Sequence, residues 1–559
     1  MTNETPNDPL KSDYEEKVMP PPKAAGRLIP IIGAVFLVLV SGLGGTCLAK
    51  WLRPPVAEEA AHTVGLSLPP ALARWKKPDL TLILTGQQYG YLLPCGCSRP
   101  QVGGLERRYN YLATLREAGW PLTAVDLGDI AQKQGLGHLS NQQGLIKYRY
   151  SMEALKKMGY SAVSLGLSEA KLNIFKILGE YALNDPDPKV LVANLSNKET
   201  EFPEQVFETA LVQAKGSTIK VGVTAVVGPT VSKAMKDTIA QFGSSKDALT
   251  KALKSFAEQK TDLKVLLYQG AMGTVANDDS EPIAAAKAFP AFDVILCVCD
   301  EDEPPSEPLE VKHANGHMTR IIRMGHKGKY VGTLGVWKTP MGLEFKYHLQ
   351  DLGEQWLTPE GGIAGHPVLE LMERYAKEVE RGDYLGKTAQ STHPFSASVP
   401  DSTPTFVGSD KCKKCHEEAY KVWETSGHGH GWQTLADAKK PGLRHKDPEC
   451  ILCHTVGFGY KTGFVDEVRT PKLKDVGCES CHGPSSEHLK STSDETWHKL
   501  MNPWKAKEKE TGPETKIRIQ RIDQFCQTCH DMENDVNWVH QGFAKKWPKI
   551  AHPTPLEKK

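Results

Sequence analysis

The sequence predicts a multidomain protein: a layered α/β domain, a mainly α and loop-rich domain after it, and one N-terminal transmembrane helix before it. Three observations carry this reading. A 22-residue run without a charge, Leu28 to Ala49, stands near the start. Short apolar strands alternate with helical stretches over residues 79–352. Beyond residue 403 apolar runs are few, yet eight of the 13 cysteines fall between 412 and 529 and 11 of the 19 histidines between 401 and 559. A chain of 559 residues exceeds one ordinary core. Its net charge of +1 gives no basic footprint, so nucleic acid is not an expected partner.

Residues 1–27 are polar and proline-rich and read as a cytoplasmic tail. The run LIPIIGAVFLVLVSGLGGTCLA at 28–49 is long enough to span a bilayer and reads as a signal-anchor. The competing reading is a cleaved signal peptide, helped by the small residues Gly44, Gly45 and Thr46; the long leading segment favours the anchor. Cys47 follows a sequence poorly matched to lipid attachment. Residues 50–78 form a Pro-rich linker.

TLILTG, PLTAVDLGD, SAVSLG, KVLVAN, IKVGVTAVVG, LKVLLYQG and FDVILCVCD read as buried strands. GGLERRYNYLATLREAG and SMEALKKMGY carry helical stripes between them. From about Gly316 the texture becomes strands alone: HMTRIIRMG, KYVGTLGVWK and LEFKYHLQDL. Residues 353–402 hold a helix, HPVLELMERYAKEVERG, and the start of a Ser/Thr/Pro linker, STHPFSASVPDSTPTF. Residues 403–559 lack the apolar side chains for a core of their own, so something else must fill it.

Four motifs indicate the filler. CKKCH (Cys412, Cys415, His416), CILCH (Cys450, Cys453, His454), CESCH (Cys478, Cys481, His482) and CQTCH (Cys526, Cys529, His530) are each C-x-x-C-H, the attachment signature of a c-type haem. On a helical turn the i, i+3, i+4 spacing puts both sulfurs and the imidazole on one face. The thiols can then form thioethers while the histidine binds iron. Zinc or disulfides would explain the cysteines but not a histidine after every second one. Four haem c groups are therefore expected. Seven further histidines, His428, His430, His445, His488, His498, His540 and His552, are available as sixth ligands.

Residues 406–538 resemble the tetrahaem cytochrome c-554 family, which carries electrons away from hydroxylamine oxidation. The matching stretches are GSDKCKKCHEEAYKVWETSGH, DPECILCHTVGFGYKTGF, DVGCESCHGPSSEH and FCQTCHDMENDVNW. The resemblance implies distal iron ligands at His428 and His488, with His552 the corresponding histidine after the fourth motif. It also implies that the haem held by His454 lacks a protein sixth ligand. The family's long C-terminal helical region is missing here. Haem attachment of this type follows export, which implies a single-pass protein of the inner membrane with its bulk in the periplasm. With 25 Lys+Arg against 23 Asp+Glu in residues 401–559, polypeptide charge selects no redox partner protein. Haem propionates would add negative charge, suited to basic docking surfaces on such a partner.

Residues 79–352 resemble the metal-dependent phosphatase domain of periplasmic 5′-nucleotidases. GYL, GGLERR, DLGD, MGYSAVSLG, VAN and GKYVG occur in that family's order. The resemblance implies a metallophosphoesterase-like sandwich with metal ligands at strand ends. At those positions this chain has Gln87, Tyr89, Leu167, Ser168, Gln269, Cys299 and Glu301, and only Asp129 is kept. The domain is expected to be an inactive binding or spacing module. Cys95, Cys97, Cys297 and Cys299 form two C-x-C pairs near that loop cluster, open to a disulfide or a soft-metal site. The functional expectation is an electron-transfer protein. The alternatives are a haem oxidoreductase acting at His454 on a small nitrogen or oxygen species, and a rebuilt phosphoesterase.

Overall fold

The structure, a computed structural model, describes residues 65–94, 101–182, 188–202, 204–272, 280–438, 441–531 and 542–552, together with residues 535 and 538. The expected tail, the anchor at 28–49, most of the linker, Cys47, Cys95, Cys97 and His540 lie outside the described residues. Among those described, no helix is long and apolar enough to cross a membrane.

Among the described residues, twelve strands form two six-stranded sheets. The first joins β1 (Leu80–Thr85), β2 (Leu122–Asp126), β3 (Tyr160–Ser164), β4 (Lys189–Leu191), β11 (Tyr330–Thr339) and β12 (Gly342–Asp351) in the order β12-β11-β1-β2-β3-β4. The second joins β5 (Thr209–Val212), β6 (Val221–Val227), β7 (Leu263–Ala271), β8 (Val294–Val298), β9 (Leu309–Lys312) and β10 (Met318–Arg323) in the order β5-β6-β7-β8-β10-β9. Strands β1 to β4 run parallel, as do β6, β7, β8 and β10; β5, β9, β11 and β12 attach antiparallel towards the edges.

The period-2 alternation of each strand builds the layers. Leu80, Leu82 and Leu84 of β1 pack with Val125, Leu334, Val221, Val223, Val265, Leu267 and Leu296 in a core between the sheets. The intervening residues face helices. On the outer side of the first sheet, Ile83, Ala124, Val163 and Val190 meet α1 (Leu105–Glu117), α2 (Gly144–Lys157), α3 (Leu167–Ala182) and α6 (Pro367–Arg381). On the outer side of the second, Val226, Leu266, Ile295 and Ile321 meet α4 (Ser245–Glu258) and α5 (Glu281–Ala288). The result is an α/β/β/α sandwich. Fully burying one such aliphatic side chain stabilises by about 1.5–3 kcal/mol.

Helix α6 starts where the sequence supplies both a cap and a proline. His366 is wholly buried, and its Nδ1 accepts from Val368 N at 3.2 Å and Leu369 N at 3.1 Å, with Pro367 at the first helical position. Its Nε2 lies 2.9 Å from Asn110 Oδ1 of α1, which ties the helix to the sandwich.

The C-terminal region is short helices and turns: α7 (Glu417–Glu424), α8 (Pro448–His454), α9 (Cys478–His482) and α10 (Gly512–Cys526) are among them. Its apolar cluster is small: Phe406, Trp432, Leu435, Ile451, Val456, Phe458, Phe464 and Leu473. The Ser/Thr/Pro segment expected as a linker is packed onto this cluster. His393 contacts the rings of Phe395, Phe406 and Tyr460 at 4.7, 5.6 and 4.8 Å, and Ser391 N donates to Gly459 O at 2.9 Å. Its aromatic residues, outweighed in composition by Ser, Thr and Pro, account for the difference. Consistent with that packing, the sandwich and the C-terminal region lie in a single compact unit, His62–Lys559.

Candidate functional site

The four C-x-x-C-H motifs all keep one helical turn, by two routes. CILCH ends α8 and CESCH is α9 itself. CKKCH is a turn and CQTCH begins at Cys526, the last residue of α10, and continues as a turn; yet His416 N donates to Cys412 O at 2.9 Å and His530 N to Cys526 O at 2.8 Å, the i+4 bond of a helix. Both sulfurs and the imidazole therefore share a face in each motif. The motifs also come close to one another: Cys412 lies beside Cys478, and Cys453 beside Cys529. The first pairing pulls the Cys478 thiol down to about 7 and pushes that of Cys412 up.

Three of the four motif histidines face a second imidazole. Ring centres are 6.4 Å apart for His416 and His488, 6.0 Å for His530 and His428, and 6.0 Å for His482 and His552. With a metal–nitrogen distance of about 2 Å on each side plus the two ring radii, imidazoles sharing one iron have centres roughly 6 Å apart. The residues thus fit haem iron with two histidine ligands. The expected distal histidines face motifs far from them in sequence: His428 follows the first motif and faces His530 of the fourth, while His488 follows the third and faces His416 of the first.

The rings are held by their other nitrogen. His454 Nδ1 lies 2.7 Å from Gly431 O, His482 Nδ1 2.7 Å from Met501 O, and His530 Nδ1 2.9 Å from Asp535 Oδ2. A donated Nδ1–H leaves Nε2 as the ligand nitrogen. Burial holds the pKa of His416, His428, His454, His482, His488 and His530 below the ordinary histidine value, to about 4 for His428. Neutral imidazole is the form that binds a metal. His454 differs: among the described residues no second histidine ring stands against it. His498 turns Nε2 to Thr492 O at 2.9 Å, and His445 packs on Trp432 at 5.4 Å. Sequence reasoning missed the positioning group Asp535 and the two carbonyls, for which the sequence offers no signal.

A second cluster lies at the strand ends of the sandwich, where Gln87, Tyr89, Asp129, Ser168, Gln269 and Cys299 converge. Gln87 Oε1 accepts from Cys299 N at 2.7 Å, and Gln87 Nε2 donates to Tyr89 OH at 2.9 Å. Asp129 Oδ1 accepts from Ser168 N and Oγ, each at 2.8 Å, and Gln269 donates to Leu127 O. Gln87, Tyr89 and Asp129 all have left-handed backbone, with φ of 51, 50 and 55°. That conformation is uncommon for non-glycine residues and gathers at functional loops. Cys299 Sγ lies 3.5 Å from Glu301 Oε2, and Arg323 holds Glu301 at 2.8 Å. Cys297 and Cys299 carry no disulfide among the described residues, and burial raises the pKa of both thiols.

A region that presents paired cysteines and an oriented histidine on one face of each motif, with a second imidazole opposite three of them, has the arrangement found in c-type cytochromes, the class that holds haem c covalently. Residues 411–483 match the family model described as cytochrome c554 and c-prime. The chain is also similar to cytochrome c-554 of Nitrosomonas europaea, 35% identical over 119 residues, which cover 19% of this chain and 48% of that protein. It therefore spans about half the length of the curated relative it matches. Similar solved structures include the 5′-nucleotidase precursor of Thermus thermophilus, at 19% identity, 54% of this chain, 59% of that chain and a TM-score of 0.42. Another is the sulfate thiohydrolase SoxB of Thermus thermophilus in complex with glycerol, at 14% identity, 62% and 64% coverage and a TM-score of 0.42.

Proposed function

We propose that this protein is a membrane-anchored periplasmic tetrahaem cytochrome that carries electrons to and from redox partner proteins. Cys412, Cys415, Cys450, Cys453, Cys478, Cys481, Cys526 and Cys529 attach four haems; His416, His454, His482 and His530 are the proximal ligands. The observation that carries this reading is the set of three histidine pairs at 6.0–6.4 Å. Iron held by two imidazoles has no open position for substrate, which suits electron transfer. The anchor at 28–49 and the periplasmic side rest on the uncharged run and on export before haem attachment. The sandwich serves as a binding or spacing module: its strand-end side chains are engaged with one another and with the backbone.

One observation favours a second activity. His454 is the motif histidine without an imidazole opposite it among the described residues, which supports a haem open to a small nitrogen or oxygen species. Haem quantification by the pyridine haemochrome together with carbon monoxide titration of the reduced protein tests both readings. Four haems per chain with one binding carbon monoxide is the expected result. A count other than four overturns the tetrahaem reading, and a spectrum indifferent to carbon monoxide removes the open haem.

A further inference from the structure

The sandwich grips one haem motif and leaves a defined charge beside it. The segment between β2 and α2, together with α2 itself, meets the start of α8, the helix that carries Cys450, Cys453 and His454. Gln132 Nε2 donates to Glu449 Oε1 at 2.6 Å, and Lys147 Nζ pairs with Glu449 Oε2. Gln143 Nε2 donates to Asp447 Oδ1 at 3.1 Å and to Tyr375 OH at 2.8 Å. Asp447 is also the cap of α8, accepting from Glu449 N at 2.9 Å. Farther along, His138 Nε2 lies 2.9 Å from Phe458 O, and its ring stacks on Tyr460 at 4.6 Å. Lys147 is 8% exposed and Gln143 3%, so these are not solvent-screened surface contacts.

The gripping segment grows out of the strand-end cluster. Ala131 N donates to Glu169 Oε1 at 2.8 Å and Asp129 N to Glu169 Oε2 at 3.0 Å, while Asn141 Nδ2 closes the segment on Gln132 O at 2.9 Å. A continuous path of hydrogen bonds and one peptide link therefore runs from Asp129 and Glu169 to Glu449, which immediately precedes Cys450.

We propose that Lys147, with Gln132 and Gln143, is a positioning and charge-compensating group for the haem attached at Cys450 and Cys453, so that the sandwich sets the potential of that haem. The inference rests on the reading that this motif holds haem. Glu449, adjacent in sequence to an attaching cysteine, stabilises the oxidised, more positive iron centre. Lys147 offsets it in a buried setting where charge is weakly screened. Gln132 and Gln143 fix the two carboxylates against the sandwich. None of these residues is an iron ligand; they act through α8.

The test uses the full-length haem-loaded protein and two variants of similar shape, Lys147→Met and Glu449→Gln. Haem count and the thermal transition are measured first, then the individual potentials by spectroelectrochemical titration. Lys147→Met is expected to lower the potential of one haem, and Glu449→Gln to raise it. Each shift should be near tenfold in the reduction equilibrium, about 59 mV for one electron. Loosening α8 by a purely structural effect would move both variants the same way, so opposite signs separate the two roles. Lys338→Ala, which breaks an exposed pair with Asp262 elsewhere on the sandwich, should leave all potentials in place. Same-sign shifts or none, in variants retaining the wild-type haem count, overturn the proposal. A wild-type count other than four overturns the tetrahaem reading instead, and the two failures are distinguishable.

Discussion

The sandwich and the haem-motif region solve the same problem with different materials. The sandwich has three buried apolar clusters, one between the sheets and one outside each. The haem-motif region has one cluster of eight buried residues and a set of partly buried imidazoles and thiols around it. Conformational entropy of about 1–2 kcal/mol per ordered residue must be offset in both. In the sandwich, side-chain burial suffices. On the haem reading proposed above, covalently attached cofactors would supply the missing apolar volume of the C-terminal region, so the two regions should fail under different insults.

The largest contrast is expected from removing attachment chemistry. Cys478→Ala with Cys481→Ala removes both candidate attachment cysteines of α9, whose Cys478 lies beside Cys412 of the first motif. The expected outcome is loss of one haem and proteolytic cleavage within residues 403–559 while the sandwich stays resistant. Mass spectrometry of the fragments checks it; cleavage spread equally over both regions would remove the contrast. The reciprocal change is Leu82→Ala in β1, fully buried between the sheets. It should destabilise the sandwich by about 2–5 kcal/mol, measured by denaturant unfolding followed by circular dichroism, with the haem count unchanged.

The same contrast governs how much was legible in the sequence. Strands such as β1, β6 and β7 stand out because buried apolar runs have few other uses. The edge strands β5 and β9 escape notice: each has four residues and leaves most of its side chains at least partly exposed. The four C-x-x-C-H motifs were legible because haem attachment chemistry would dictate a contiguous motif. The pairing of His488 with His416, and of His428 with His530, was not, since it depends on how turns cross in space. For the same reason nothing in the sequence marks Gln132, Gln143 or Lys147: ordinary polar residues gain their role only from the surface they meet.

The smallest expected effect sharpens the comparison through pH, because a buried carboxylate pair lies in the sandwich. Glu169 is almost wholly buried, and burial first, then the neighbouring Asp129, pushes its pKa up to about 8. Three backbone N–H groups, of Asp129, Ala131 and Gly166, bond to its oxygens and oppose that shift without cancelling it. In the unfolded chain a glutamate titrates near about 4.3. Between these values the folded state holds a proton that the unfolded state has released, so stability falls as pH rises through the window, by at most about 1.4 kcal/mol per pH unit. The stabilising contribution is complete below about pH 4.3 and lost as pH rises to about 8. Glu169→Gln, which cannot titrate, should flatten the dependence of the sandwich transition across that window. A wild-type transition already flat over the same range would mean that the three N–H donors keep Glu169 ionised, so that the pair holds its charge against burial.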